Sequence, residues 1–414
     1  MKKIKEILND EASKIPKVLL QKLLSRKLHD IGISDEALPA ALAEHLTTKG
    51  DENFLWDDGN DGPSQNIRLS FTEDEIRSLK QDTDSFLNNK LPEIIDTFVK
   101  ESATQIIKDT EREWPQEKLY EKYQMRHFQD RLDLQWAEGL DPLRMILISS
   151  REAGQNFAEK LSSSKAKKGI FRRHAILILH MRACQTALEI VTLLESGLPD
   201  GAYARWRTLY EISIVAFVID QFGDDIAERY LAHDVVSVRE SIMNEFKHDG
   251  VAYEPTALRG EDKRTEDLFQ ELLSRFGKSY KGPYGWAAHH LGIKSPRFQD
   301  LEAAIDWKTL PPHYKWSSYK VHAGVSGSVR SLGSAGFQSR IHAGAMNIGL
   351  DIPAINTAYS LMHVTSLIIG NSTDLETQIF IRSLIILRDK VVEECRKIAR
   401  KIEKTGMETE SDFF

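Results

Sequence analysis

The chain reads as all-α, a multi-helix bundle of long antiparallel helices with a smaller helical region at its N-terminus. Apolar residues recur at spacings of three and four through most of its 414 residues. Helix start and stop signals punctuate that pattern, and no run alternates in the way a strand requires. A hydrophobic fraction of 41% and a charged fraction of 28% are ordinary for a globular chain able to bury a sizeable core.

Residues 1–50 read as a small module, with the basic amphipathic stretch Lys17–Leu28 followed by a second helix from Glu36 to Leu46. Residues 51–68 are acidic and carry Gly59, Gly62 and Pro63, as a linker does. Thr72 followed by Glu75 forms a capping box opening a helical domain over 69–161. Within it, Pro92 starts or kinks a helix toward Trp114-Pro115, and Asp141-Pro142 opens another as N-cap and first-turn proline.

The serine- and lysine-rich segment 162–169 reads as the main domain boundary, with a C-terminal helical domain over 170–405 and an acidic tail at 406–414. A long helix from Ile170 ends at Gly197, and the turn Leu198-Pro-Asp-Gly201 sends the next helix back antiparallel. A third helix runs from Asp225 to His248, with a short one from Thr265 to Phe276. Residues 278–310 are irregular, Pro311–Val321 is helical, and Gly324–Gly349 is glycine- and serine-rich, a flexible loop or a short hairpin. Helices near 352–370 and 374–404 close the chain.

Net charge is −7 and the isoelectric point near 6.0, so global charge gives no pull toward nucleic acid. Two cysteines, Cys184 and Cys395, supply neither a disulfide framework nor a thiolate metal site, which suits a reducing cytoplasm. No uncharged run approaches bilayer-spanning length, so no membrane partner is expected.

The first candidate centre lies where Arg207 and Glu211 are one turn apart in a helix that looks apolar on all sides. That places Glu211 in the core, a costly position unless the carboxylate is paired. Tyr230 and His233 on the next helix, and Tyr319 and His322 further on, could converge on the pair as a general acid/base centre. The plain alternative is a structural ion pair with scattered histidines.

Arg173 and His180 have the arginine-to-histidine spacing of HEPN-type ribonucleases, where arginine steadies phosphate and histidine moves a proton. Glu245 and His248 supply a single Glu-x-x-His pair, short of a di-metal set, so no metal is expected there. His289-His290 add ligand atoms without recognised spacing. Ser317-Ser-Tyr-Lys320 matches Ser-x-x-Lys without its companion motifs. No phosphate-cradling glycine loop follows a strand, and no cofactor is expected.

Three segments, Leu198–Glu211, Tyr284-Gly-Trp-Ala287 and Tyr319-Lys-Val-His322, resemble a bacterial family of domains of unknown function, numbered 5677. The resemblance covers roughly residues 170–400. It implies that these segments meet in one helical domain and carries over no reaction. Two function classes follow: a hydrolase or ribonuclease in stress response or antiviral defence, built on the Arg/Glu/His centre, or a non-enzymatic ligand-binding or assembly protein. The assembly reading docks a protein partner, or a second copy, through the N-terminal helices.

Overall fold

The computed structural model describes residues 2–48, 53–57, 66–165, 168–256, 258–305, 344–370 and 374–405. All of its regular structure is helical, with no strand among the described residues, so the chain is all-α. It divides into two compact units, Met1–Glu121 and Lys122–Phe414. Residues 162–169, the expected boundary, fall within the second of these units.

In the first unit, α1 (Lys2–Asp30) and α2 (Leu38–Thr48) pack as a hairpin. Helix α3 (Glu73–Ser85) opens on the expected capping box: the Glu75 N–H donates to Thr72 Oγ at 3.3 Å, and the Thr72 N–H donates to a Glu75 carboxylate oxygen at 2.8 Å. Lys27 of α1 ties the two helices by pairing with Glu75 at 2.7 Å. A π turn, Phe86–Lys90, joins α3 to α4.

Helix α4 runs from Leu91 to Ser163. Pro115 and Pro142 lie within it, so neither Trp114-Pro115 nor Asp141-Pro142 bounds a helix. A proline removes one hydrogen bond of the helix ladder; around Pro142 the burial of Leu140, Leu143, Ile146 and Leu147 offsets that loss.

In the second unit the C-terminal part of α4 shares one core with α5 (Ile170–Glu195) and α6 (Pro199–Phe222). Gly197, at a φ of 68°, ends the α5 hydrogen-bond ladder. The return is antiparallel, with Arg205 of α6 paired to Glu189 and Arg172 of α5 paired to Asp220. The expected third helix is two, α7 (Asp224–Ala232) and α8 (Asp234–His248), which meet at His233. Helix α9 spans Gly260–Phe276, and short turns plus α10 (Ala288–Leu291) and α11 (Phe298–Ala304) follow.

Helix α12 (Asp351–Ile369) packs on both α5 and α6, and α13 (Leu375–Thr405) packs on α12. Trp136 and Trp206 are fully buried. Their indole N–H groups donate to Asn347 O and Ser360 Oγ, each at 3.0 Å. By length and hydropathy α5 and α12 could each cross a bilayer; half or more of each such window is buried inside the fold. The expected helix Pro311–Val321 and most of the Gly324–Gly349 loop lie outside the described residues.

Candidate functional site

The Arg207–Glu211 pair forms as its spacing predicts. Arg207 Nε donates to a Glu211 carboxylate oxygen at 3.1 Å. Its depth differs from expectation, because Glu211 is 35% exposed and Arg207 28%. Helix α6 is not apolar on all sides: Leu209, Ile212, Ile214 and Val218 face the core, while Arg207, Thr208, Glu211 and Val215 lie along its flank. Water still reaches the carboxylate, so pairing at an open flank avoids the cost of a buried charge.

One aromatic side chain, Tyr284, lies near the pair. Tyr284 lies close enough to feel both charges; burial first, then the Glu211 carboxylate, pushes its hydroxyl pKa up, with Arg207 opposing. Tyr284 and Phe298 have ring centroids 6.4 Å apart, and Phe298 meets Tyr210 edge-on at 6.1 Å. Tyr210 donates its hydroxyl proton to Glu302 of α11 at 2.8 Å. The outcome is a half-buried cluster with one guanidinium, two carboxylates and three aromatic rings.

The other members of the expected centre are engaged elsewhere. His233 is buried at the α7–α8 joint, where its Nε2–H donates to Tyr280 O and Gly282 O, both at 3.0 Å. Burial lowers its pKa, partly opposed by those carbonyls, and the ring acts as a clamp on the turn at 278–282. That turn leads into Tyr284-Gly-Trp-Ala287, where Gly285 has a steric reason: an added Cβ would stand 2.2 Å from Tyr280 O. Tyr230 packs its ring edge-on against Trp286 at 5.2 Å. His322, with Tyr319 and the Ser317–Lys320 motif, lies outside the described residues.

The Arg173 and His180 pair is separated by depth. Arg173 is half-buried and bonds Lys168 O at 2.9 Å. His180 is 1% exposed, with its Nε2–H on Thr365 Oγ at 3.2 Å. The Thr365 hydroxyl donates in turn to Leu361 O, which leaves it free to accept from the ring. Burial lowers the His180 pKa to about 4. Gly154 of α4 makes room for this ring, since a Cβ there would come within 2.8 Å of it.

Glu245 and His248 are both exposed, and among the described residues no group of three or more His, Cys, Asp or Glu could hold a metal. His290 pairs with Asp225 at 3.1 Å, while His289 is exposed.

A buried carboxylate does exist, and the sequence reading missed it. Glu266 of α9 is 2% exposed and accepts from Arg239 at 2.7 Å, Tyr253 at 2.6 Å and Gln270 at 2.7 Å. Burial pulls its pKa upward, but the hydrogen bonds from Tyr253, Gln270 and Arg239 prevail and hold it below the ordinary carboxylate value. Arg239 also stacks over Phe269 at 4.2 Å. The available signal was register: Glu266 shares a helical face with Phe269 and Leu273.

Residues 173–338 match the model of DUF5677, a family of unknown function. This bears out the resemblance read from the motifs, over a match that takes in most of α5 and continues through α11 but covers less than half of the chain. No curated protein matches the chain, and no solved structure does.

Proposed function

We propose that the second unit is a ligand-recognition domain whose site is the half-open Arg207–Glu211–Tyr284 cluster. The observation that carries this reading is the depth of the pair: a donor and an acceptor are fixed 3.1 Å apart, yet both keep contact with solvent. A small molecule with a hydrogen-bonding head and a planar body fits that chemistry. Arg207 and Glu211 would take the head, and Tyr284 and Phe298 would line the body. With the Arg207 guanidinium already neutralised by Glu211, a head rich in N–H donors is favoured over a phosphate.

The hydrolase or ribonuclease reading, with its role in stress response or antiviral defence, has less support. It needs an imidazole open to substrate; of its candidate histidines among the described residues, His180 is enclosed between helices and His233 is committed to two backbone carbonyls. A cytoplasmic setting goes with the recognition reading, supported by two buried free thiols.

Thermal-shift and NMR titration of the full chain with a panel of nucleosides and small guanidinium compounds provide the test. At least one compound is expected to raise the melting temperature, and both Arg207→Ala and Tyr284→Ala are expected to weaken its binding by tenfold or more, about 1.4 kcal/mol. Binding unaffected by both substitutions would move the site away from α6.

A further inference from the structure

Within the second unit, α4 and α5 present two exposed seams side by side. The seam on α5 runs through Phe171, His174, Ile178, Met181, Gln185 and Leu188, and every one of these is exposed. The seam on α4 runs through Asp141, Met145, Ile148, Glu152, Gln155 and Glu159, all exposed as well. Steps of three and four alternate in both, the spacing of a coiled-coil seam. At about 100° of rotation per residue, each set stays within about 100° of its helix's circumference. The helices run antiparallel: Gly154 stands against His180, Arg151 beside Cys184, and Arg144 pairs with Glu195. Their opposite faces, with Leu143 and Ile146 on α4 and Ile176 and Leu194 on α5, are in the core. Both seams therefore lie on the same outer side.

We infer that this side docks a second copy, α5 of each copy lying on α4 of the other about a two-fold axis parallel to the helices. Charge selects the axis. The α4 seam carries three carboxylates, Asp141, Glu152 and Glu159, and no cation; the α5 seam carries no carboxylate, holds His174 and is flanked by Arg182. Among the described residues neither Glu152 nor Arg182 is in an ion pair within the chain. The antiparallel register sets Arg182 level with Glu152 and His174 level with Glu159. An axis parallel to the helices keeps those levels, so Arg182 meets the partner subunit's Glu152 and His174 meets the partner subunit's Glu159. A perpendicular axis would lay α4 on α4 and α5 on α5, stacking carboxylate on carboxylate.

Area and shape agree. Met145, Ile148, Phe171, Ile178, Met181 and Leu188 are between 37% and 62% exposed. At about 150–200 Å² for a large side chain, they offer roughly 500 Å² of apolar surface per copy. A standard interface of ~800 Å² per partner, about 65% apolar as in homodimers, uses about that much. The same register places Leu188 over Ile148 and Met145. Four helices packed in this way, each antiparallel to its neighbours, form a bundle of ordinary topology, and the isologous contact closes at two copies.

Light scattering and sedimentation of the full-length chain at micromolar concentration are expected to give twice the chain mass. Ile178→Glu with Met181→Glu, both at exposed positions, is expected to raise the dimer dissociation constant about a hundredfold, with helix content by circular dichroism unchanged. Arg182→Glu alone is expected to raise it about tenfold. Adding Glu152→Arg to the same chain is expected to restore it, which packing of α5 on α5 would not do. A single-chain mass, whether free or carried on phosphatidylcholine vesicles, a dimer indifferent to the glutamates, or a charge swap without rescue would each overturn the inference.

Discussion

His180 and His363 show what burial does to a titrating side chain when no acid stands beside it. Burial holds both rings at a pKa of about 4, and for His363 the Arg388 guanidinium adds to the effect. Each ring therefore binds its proton more weakly in the folded chain than in the unfolded one. The unfolded state takes up protons first as pH falls below about 6.5, and stability declines until about pH 4. The loss is about 1.4 kcal/mol per pH unit for each ring across that window. Urea unfolding at about pH 7 and about pH 5 should show a lower midpoint in acid, with the difference reduced in His180→Asn/His363→Asn. An undiminished difference in that variant would trace the acid sensitivity to other groups. Sequence could identify these histidines but not their depth, because depth depends on helices distant in the chain: Thr365, the partner of His180, is 185 positions away.

Helices differ in how strongly their charged residues are held, and two carboxylates on α6 and α9 give the comparison. Glu211 is part-exposed, and Glu211→Gln should cost less than about 1 kcal/mol. Glu266 is enclosed with three donors, so Glu266→Ala strands Arg239 and should cost about 3 kcal/mol or more. Chemical denaturation of both variants checks the order, and a larger loss at Glu211 would contradict it. The helix boundaries that sequence made legible are those set by local chemistry, such as the Thr72 capping box and the Gly197 stop. Among the boundaries it misplaced are those of α4, where Pro115 and Pro142 read as breaks. There, local signals compete with the rest of a long helix, and at Pro142 with a core drawn from α5, α6 and α12. The candidate site was legible as a pair, Arg207 with Glu211, but not as an open one. Tyr284 and Phe298, more than 70 residues further along the chain, give it its surroundings.

At the scale of the whole molecule, the second unit has the means to fold by itself. Its core runs from Phe128 in α4 to Ile402 in α13 and includes the buried tryptophans Trp136 and Trp206. A chain spanning residues 122–405 should therefore remain helical and melt in one cooperative step, as followed by circular dichroism. Loss of cooperativity would show that the second unit draws on residues before 122. The all-α class was plain from periodicity because a helix repeats its pattern within a few residues. The division at Glu121 was not, since it falls inside an unbroken helix.

The π turn at Phe86–Lys90 makes helical phase a variable. A π turn fits one residue more than an α-helix uses over the same stretch, and one residue corresponds to roughly 100° of rotation about the axis. Deleting Asn88 would convert the turn to ordinary α-helix and swing everything before it by about that angle. The Lys27–Glu75 bond would be unaffected, since both of its ends precede the deletion. Single-residue insertions and deletions at this point thus re-aim the N-terminal hairpin around α4 without redesigning either, a route by which such chains can acquire new orientations in one step.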